Sequence, residues 1–160
     1  HDTPRALHAL GGDQEALRLA LLMLFLLPGA PCLYYGTEMG LDGGPEPGCR
    51  EAFPWEAAPG PLFGWLQELA GLRRRLPALR STALTLPASP DDDLLLLTRG
   101  EGSARLWVAI NRSDAPLLLP LPAGPVEVLW SHPSPPGCQP LAAGSCLPGR
   151  GALILAAPTG

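Results

Sequence analysis

A chain of 160 residues can form one domain or two small ones around a real hydrophobic core. Gly and Pro, 19 and 21 residues, make up a quarter of it, yet 46% of the chain is apolar and only 16% charged, so they punctuate short elements of a folded protein. A net charge of −4, with no cationic run beyond Arg73-Arg74-Arg75, excludes a nucleic-acid footprint. All 11 cations are Arg and none is Lys, a skew of coding rather than of chemistry. The four cysteines, Cys32, Cys49, Cys138 and Cys146, show no CxxC and no His at ligand spacing, so no metal site is expected. Cys138 and Cys146 could close a loop, although two free thiols are the simpler reading. The longest apolar run, 19–27, falls far short of the roughly 20 residues a spanning helix needs, so no membrane partner is expected. No targeting segment is visible, and the cytoplasm is the default expectation.

In chain order, residues 13–27 read as a helix, with Asp13 as N-cap, Glu15 in the first turn and Pro28-Gly29 as the stop. Its apolar face is so wide that burial between two layers is expected. The run 30–35, Ala-Pro-Cys-Leu-Tyr-Tyr closed by Gly36, has the length and punctuation of a strand buried on both faces. A Gly- and Pro-rich stretch from 36 to about 61 is too long for an ordinary connection and is read as functional or disordered. A second helix is expected over 62–76, ended by Pro77, with the arginine triplet as a solvated last turn that favours the helix dipole. Beyond Ser81 short runs recur at 83–86, 94–98, 105–111, 116–121, 126–130 and 152–156, separated by turn clusters, which is the grammar of a small antiparallel sandwich.

The boundary between the two parts is therefore placed near residue 80. Residues 1–80 supply two helices and one strand, which leaves that strand without neighbours and the apolar helix without its cover. The expectation is a C-terminal portion of something longer, or a chain completed by a partner.

Four motifs then carry a resemblance: His1-Asp2-Thr3-Pro4-Arg5; the run from Pro28 to Gly40 with Tyr34-Tyr35-Gly36-Thr37-Glu38; the segment from Gly43 to Arg50; and Pro54-Trp55. In order and spacing they resemble the end of the catalytic barrel of the alpha-amylase superfamily, in its maltogenic amylase, neopullulanase and cyclomaltodextrinase group. The resemblance is detailed over 1–80 and loose beyond, where family members carry an all-β domain of about this size. It implies a fold that is α/β followed by all-β: the last two units of a (β/α)8 TIM barrel in 1–80, with 13–27 as the seventh helix, 32–35 as the eighth strand and 62–76 as the eighth helix. A C-terminal antiparallel β-sandwich follows in 81–160.

The resemblance further implies a retaining glycoside hydrolase acting on α-1,4-linked glucans or maltooligosaccharides. The remainder of the barrel would be its partner, and no cofactor is needed. Asp2 would be the carboxylate that binds sugar hydroxyls and stabilises the oxocarbenium-like transition state, and His1 would bond the same glucose. Glu46 and Arg50 match an acid and an Arg that bind glucose units on the non-reducing side of the cut, the family usually having Asp where this chain has Glu46. Tyr35 and Trp55 offer ring faces that suit pyranose stacking and suit packing equally. Arg5 is read as pairing with a carboxylate near the strand end, and Glu38 as a group that orients the site. The nucleophile and acid/base motifs of the family are not in this sequence, so the 160 residues alone are expected to be inactive.

The remaining signals receive blander readings. His8 and His132 are taken as surface residues. Asp91-Asp92-Asp93 lacks the ligand spacing of a calcium loop and reads as a charged turn. Trp107 and Trp130 sit inside strand patterns and read as core rather than as a sugar-stacking pair. Two alternatives are carried: a transglycosidase or trehalose synthase of the same superfamily, which shares these motifs, and, from a different class, a β domain that is a non-catalytic carbohydrate-binding or structural module.

Overall fold

The computed structural model describes residues 1–133, 141–142 and 144–157. The chain forms two compact units, His1–Arg75 and Leu76–Gly160. Cys138, and with it the question of a bridge to Cys146, lies outside the described residues.

The first unit holds three helices, α1 (Ala6–Ala9), α2 (Gln14–Leu26) and α3 (Pro61–Arg75), with short 3-10 turns at Thr37–Met39 and Gly48–Arg50. The Asp13 side chain accepts from the Ala16 N–H at 2.9 Å, satisfying one of the orphan donors at the start of α2. Pro61 opens α3 at a position where a missing N–H costs nothing. Helix α2 packs on α3, burying Leu17, Leu22 and Leu26 on one side and Leu69 and Leu72 on the other, each contributing about 1.5–3 kcal/mol. The Trp65 indole adds a bond from α3 to the Arg18 carbonyl at 3.1 Å.

Arg73 departs from its sequence reading as part of a solvated turn. Its guanidinium donates to the carbonyls of Phe25 at 2.7 Å, Leu27 at 3.2 Å and Gly29, so it caps the open carbonyl end of α2.

The expected strand at 30–35 is not formed. Among the described residues no strand lies beside the segment, and an isolated run has no ladder partner to define it as a strand. Beside it, a cleft of about 320 Å3 is lined by His1, Arg5, Leu21, Leu24, Leu33 and Tyr34 among others.

The second unit contains β1 (Leu84–Thr85), β2 (Leu94–Arg99), β3 (Leu106–Asn111), β4 (Leu117–Leu118), β5 (Glu127–His132), β6 (Cys146–Leu147) and β7 (Ala152–Ala156). Five strands form an antiparallel sheet in the order β1-β2-β3-β7-β5, and β4 pairs with β6 in a second, two-stranded sheet. Registers Leu96↔Ala109 and Ala109↔Leu153 put Leu94, Leu96, Ala109, Leu153 and Leu155 on one face, where they meet Leu119 and Leu147 in a single core. The opposite face carries Leu97, Val108, Ile110 and Ile154, also buried, which is why these strands read as continuous apolar runs. Trp130 is buried and Trp107 packs against the core.

Two buried polar side chains pin this unit. Arg99 donates to the carbonyls of Leu79 and Ser81, tying the turn Pro77–Arg80 to the sheet. Asn111, fully buried at the end of β3, donates to the carbonyls of Ala115, Leu147 and Pro148 and accepts from the Ser113 N–H and hydroxyl. Asp91–Asp93 form a turn in which the Asp93 N–H donates to Asp91 Oδ1 at 2.8 Å and Arg112 pairs with Asp93 at 2.7 Å. Among the described residues no group of three or more His, Cys, Asp or Glu is placed to hold a metal, and no helix is long and apolar enough to cross a membrane.

Candidate active site

The stretch 36–61 is not disordered. It is folded onto the start of the chain, and that places the candidate residues. Gly36 adopts φ +80°, where a Cβ would strain the backbone, and its carbonyl accepts from the Leu41 N–H at 3.0 Å. Arg5 N–H donates to the Gly43 carbonyl at 2.9 Å, which fixes the loop to the strand-like start. Gly43 in turn lies so close to the next turn that a Cβ there would stand 2.2 Å from the Gly48 carbonyl oxygen, an approach only Gly permits. This contact brings Gly48–Arg50 back beside residues 1 and 2.

Four of the expected residues converge as a result. Arg50 Nη2 lies 2.9 Å from Asp2 Oδ1 and 2.9 Å from Glu46 Oε1, and its Nε donates to the His1 carbonyl at 3.2 Å. His1 Nε2 is 3.2 Å from Asp2 Oδ1. Asp2 retains two-thirds of its side-chain surface in water, so the cluster is open to a ligand. Cys49, which sequence reasoning treated only as a thiol without metal partners, is fully buried beneath it, and its Sγ donates to the same His1 carbonyl at 3.1 Å.

Arg5 is buried. Its Nη1 donates to the Tyr35 carbonyl at 2.6 Å, its guanidinium lies 4.7 Å and 4.8 Å from the Tyr34 and Tyr35 ring centres, and its Nε is 3.7 Å from Glu51 Oε1. Glu51 was not singled out from the sequence; the only pointer to it was that Arg5 needed some carboxylate. Burial raises the Tyr34 phenol above its ordinary pKa, with Tyr35 adding to the effect and the Arg5 charge opposing it.

Tyr35 braces the loop, since its hydroxyl donates to the Glu51 carbonyl at 2.8 Å and its ring is under Arg5. Trp55 is 83% exposed, its ring 4.6 Å from that of Phe53. Glu38 sits on the Thr37–Met39 turn and makes no hydrogen bond or ion pair with this cluster among the described residues. His8 is no isolated surface residue, because its Nδ1 is 3.4 Å from Asp42 Oδ1, and His132 lies with its ring stacked 6.4 Å from that of Trp130.

Comparison with known proteins bears on this arrangement. The chain is 34% identical to a cyclomaltodextrinase of Geobacillus thermopakistaniensis over 125 residues, 76% of this chain and 21% of the relative. It is also 34% identical to a maltogenic alpha-amylase of Bacillus acidopullulyticus over 141 residues, 82% of this chain and 24% of the relative. The chain belongs to the alpha-amylase superfamily. Among solved structures, the type III pullulan hydrolase of Thermococcus kodakarensis superposes with a TM-score of 0.84 at 30% identity, covering 98% of this chain and 27% of that one. A scan against family models finds no match. The chain spans about a fifth to a quarter of the length of these relatives.

Proposed function

We propose that the chain supplies the last units of a (β/α)8 barrel and its capping β domain in a retaining glycosidase that cleaves α-glucosidic, mainly α-1,4, bonds in maltooligosaccharides. The observation that carries this reading is the cluster itself: two residues at the start of the first unit and two from the far end of the following loop meet within 3.2 Å, open to water. In this reading the segment 30–35 is the eighth strand, and the cleft beside it, lined by Leu21, Leu24 and Leu33 together with polar residues such as Thr3 and Thr37, is where neighbouring staves of the barrel pack.

The chemistry divides accordingly. The exposed carboxylate of Asp2 accepts hydrogen bonds from the hydroxyls of the glucose being cleaved and stabilises the flattened, positively charged ring of the transition state more than the ground-state sugar. His1 donates to the same sugar. Glu46 and Arg50 bind the next unit on the non-reducing side, Arg50 through Nη1, the nitrogen it does not give to His1, Asp2 or Glu46, and the exposed Trp55 ring offers surface to a pyranose. The nucleophile and the acid/base carboxylate come from the rest of the enzyme, so residues 1–160 alone turn over nothing.

The β unit is a structural cap in this proposal. A cleft of about 280 Å3 beside Trp107 draws its polar side-chain atoms only from Thr98 and Trp107, a poor match for a sugar's ring of hydroxyls. The deciding experiment is Asp2→Asn in the whole enzyme, assayed on maltotriose and a cyclomaltodextrin. A fall in kcat of about 10²–10³-fold with retained folding is expected; a variant within a fewfold of the parent would refute the role.

A further inference from the structure

Arg50 does more in this structure than face a second sugar. Its Nη2 bridges Asp2 Oδ1 and Glu46 Oε1, while its Nε holds the backbone carbonyl of His1, so one rigid guanidinium grips both the main chain and the carboxylate of the same dipeptide. The grip is backed from beneath, because the buried Cys49 thiol donates to that His1 carbonyl as well. Asp2 Oδ1 therefore accepts from Arg50 and lies 3.2 Å from His1 Nε2, whereas Asp2 Oδ2 accepts no bond among the described residues.

From this we propose that Arg50 is a positioning residue for Asp2: it commits Oδ1 to the protein and presents Oδ2 to the hydroxyl of the glucose at the cleaved bond. The inference rests on the reading of Asp2 given above. Glu46 serves the same end, since its carboxylate, sharing Nη2, prevents the guanidinium from swinging away from Asp2. A carboxylate free to rotate would populate orientations that miss the sugar, and misplacement by an ångström costs about a hundredfold in rate.

The distinguishing property is independence of substrate length. A residue that only binds the second glucose does nothing for a donor that has one, whereas a residue that orients Asp2 is needed for every donor. The test uses the whole enzyme with Arg50→Ala, Arg50→Lys and Asp2→Asn, and compares α-glucosyl fluoride, a one-glucose donor, with maltoheptaose. Thermal melts identify variants that remain folded, and Arg50→Lys, which keeps the charge and stem, serves if Arg50→Ala does not. The expected result is a kcat on α-glucosyl fluoride lowered about tenfold to a hundredfold in Arg50→Ala with KM changed less than about threefold. Arg50→Lys is expected between the two, with added guanidinium restoring part of the Arg50→Ala loss. The Asp2→Asn, Arg50→Ala double variant is expected no slower than Asp2→Asn alone. Unchanged kcat on the fluoride together with a raised KM for maltoheptaose overturns the inference and leaves Asp2 in its role. Full activity of Asp2→Asn on the fluoride overturns the underlying reading instead.

Discussion

Replacing Gly43 by Ala tests whether loop packing reaches the chemistry. The added methyl would stand 2.2 Å from the Gly48 carbonyl oxygen and 3.0 Å from Cys49 Cα, both backbone, so no side chain can rotate out of its way. Gly43 cannot simply retreat, because its own carbonyl holds the Arg5 N–H at 2.9 Å. Restoring ordinary van der Waals separation therefore moves Gly48–Arg50 by about an ångström, at an overpacking cost of about 1–3 kcal/mol. That turn carries the guanidinium that holds Asp2, and an ångström there corresponds to about a hundredfold in kcat. The assay is steady-state turnover of maltotriose by the whole enzyme, with a thermal melt to show that the variant is folded. A Gly43→Ala enzyme within about threefold of the parent kcat would refute the claim that Gly43 is needed for the geometry of the Arg50 turn. A loss equal in the presence and absence of Arg50 would show that the effect travels by another route.

Two further outcomes follow from the β unit. Asn111→Ala removes from a fully buried site both N–H donors that serve the carbonyls of Ala115, Leu147 and Pro148 and the oxygen that accepts from the Ser113 N–H; since the Ser113 hydroxyl, 2.9 Å from the Ala115 carbonyl, can turn its proton there, a net loss of about 3–4 kcal/mol is expected, read as a lower urea midpoint with an unchanged slope. Asp114 carries a pKa held below its ordinary value by the hydrogen bond and the charge of Arg150. Its folded-state pKa lies below the unfolded one, so its contribution to stability is complete above the unfolded carboxylate range and disappears as pH falls through the folded value. Asp114→Asn is therefore expected to flatten the acid limb of the stability curve slightly and to leave neutral stability nearly unchanged, as an exposed pair should.

The helices were legible because their grammar is local. An Asp13 cap, a Pro-Gly stop and leucines at helical spacing gave α2 to within a residue, and the sheet strands from 94 to 111 and 152 to 156 announced themselves as apolar runs between turn clusters. The strand expected at 30–35 failed for a non-local reason: a strand is a relation between two segments, and its composition says nothing of whether the second is present. The same limit hid Glu51, Cys49 and Gly43, which act through contacts spanning from five to 48 positions. His1, Asp2, Glu46 and Arg50 were found only because motif resemblance encodes distant proximity that periodicity does not. Arg73 was misread because cations late in a helix have an adequate local explanation, and nothing in the pattern pointed to the open end of its neighbour.

The place of β7 has a consequence for how the chain comes into being on the ribosome. Ala152–Ala156 runs between β3 and β5, with Ile154 fully enclosed, so this interior strand is laid down after both of its neighbours. Until that pentapeptide emerges, β5 has no ladder to join and β3 has one raw edge, a sticky interval during synthesis that a nascent-chain chaperone is suited to shield.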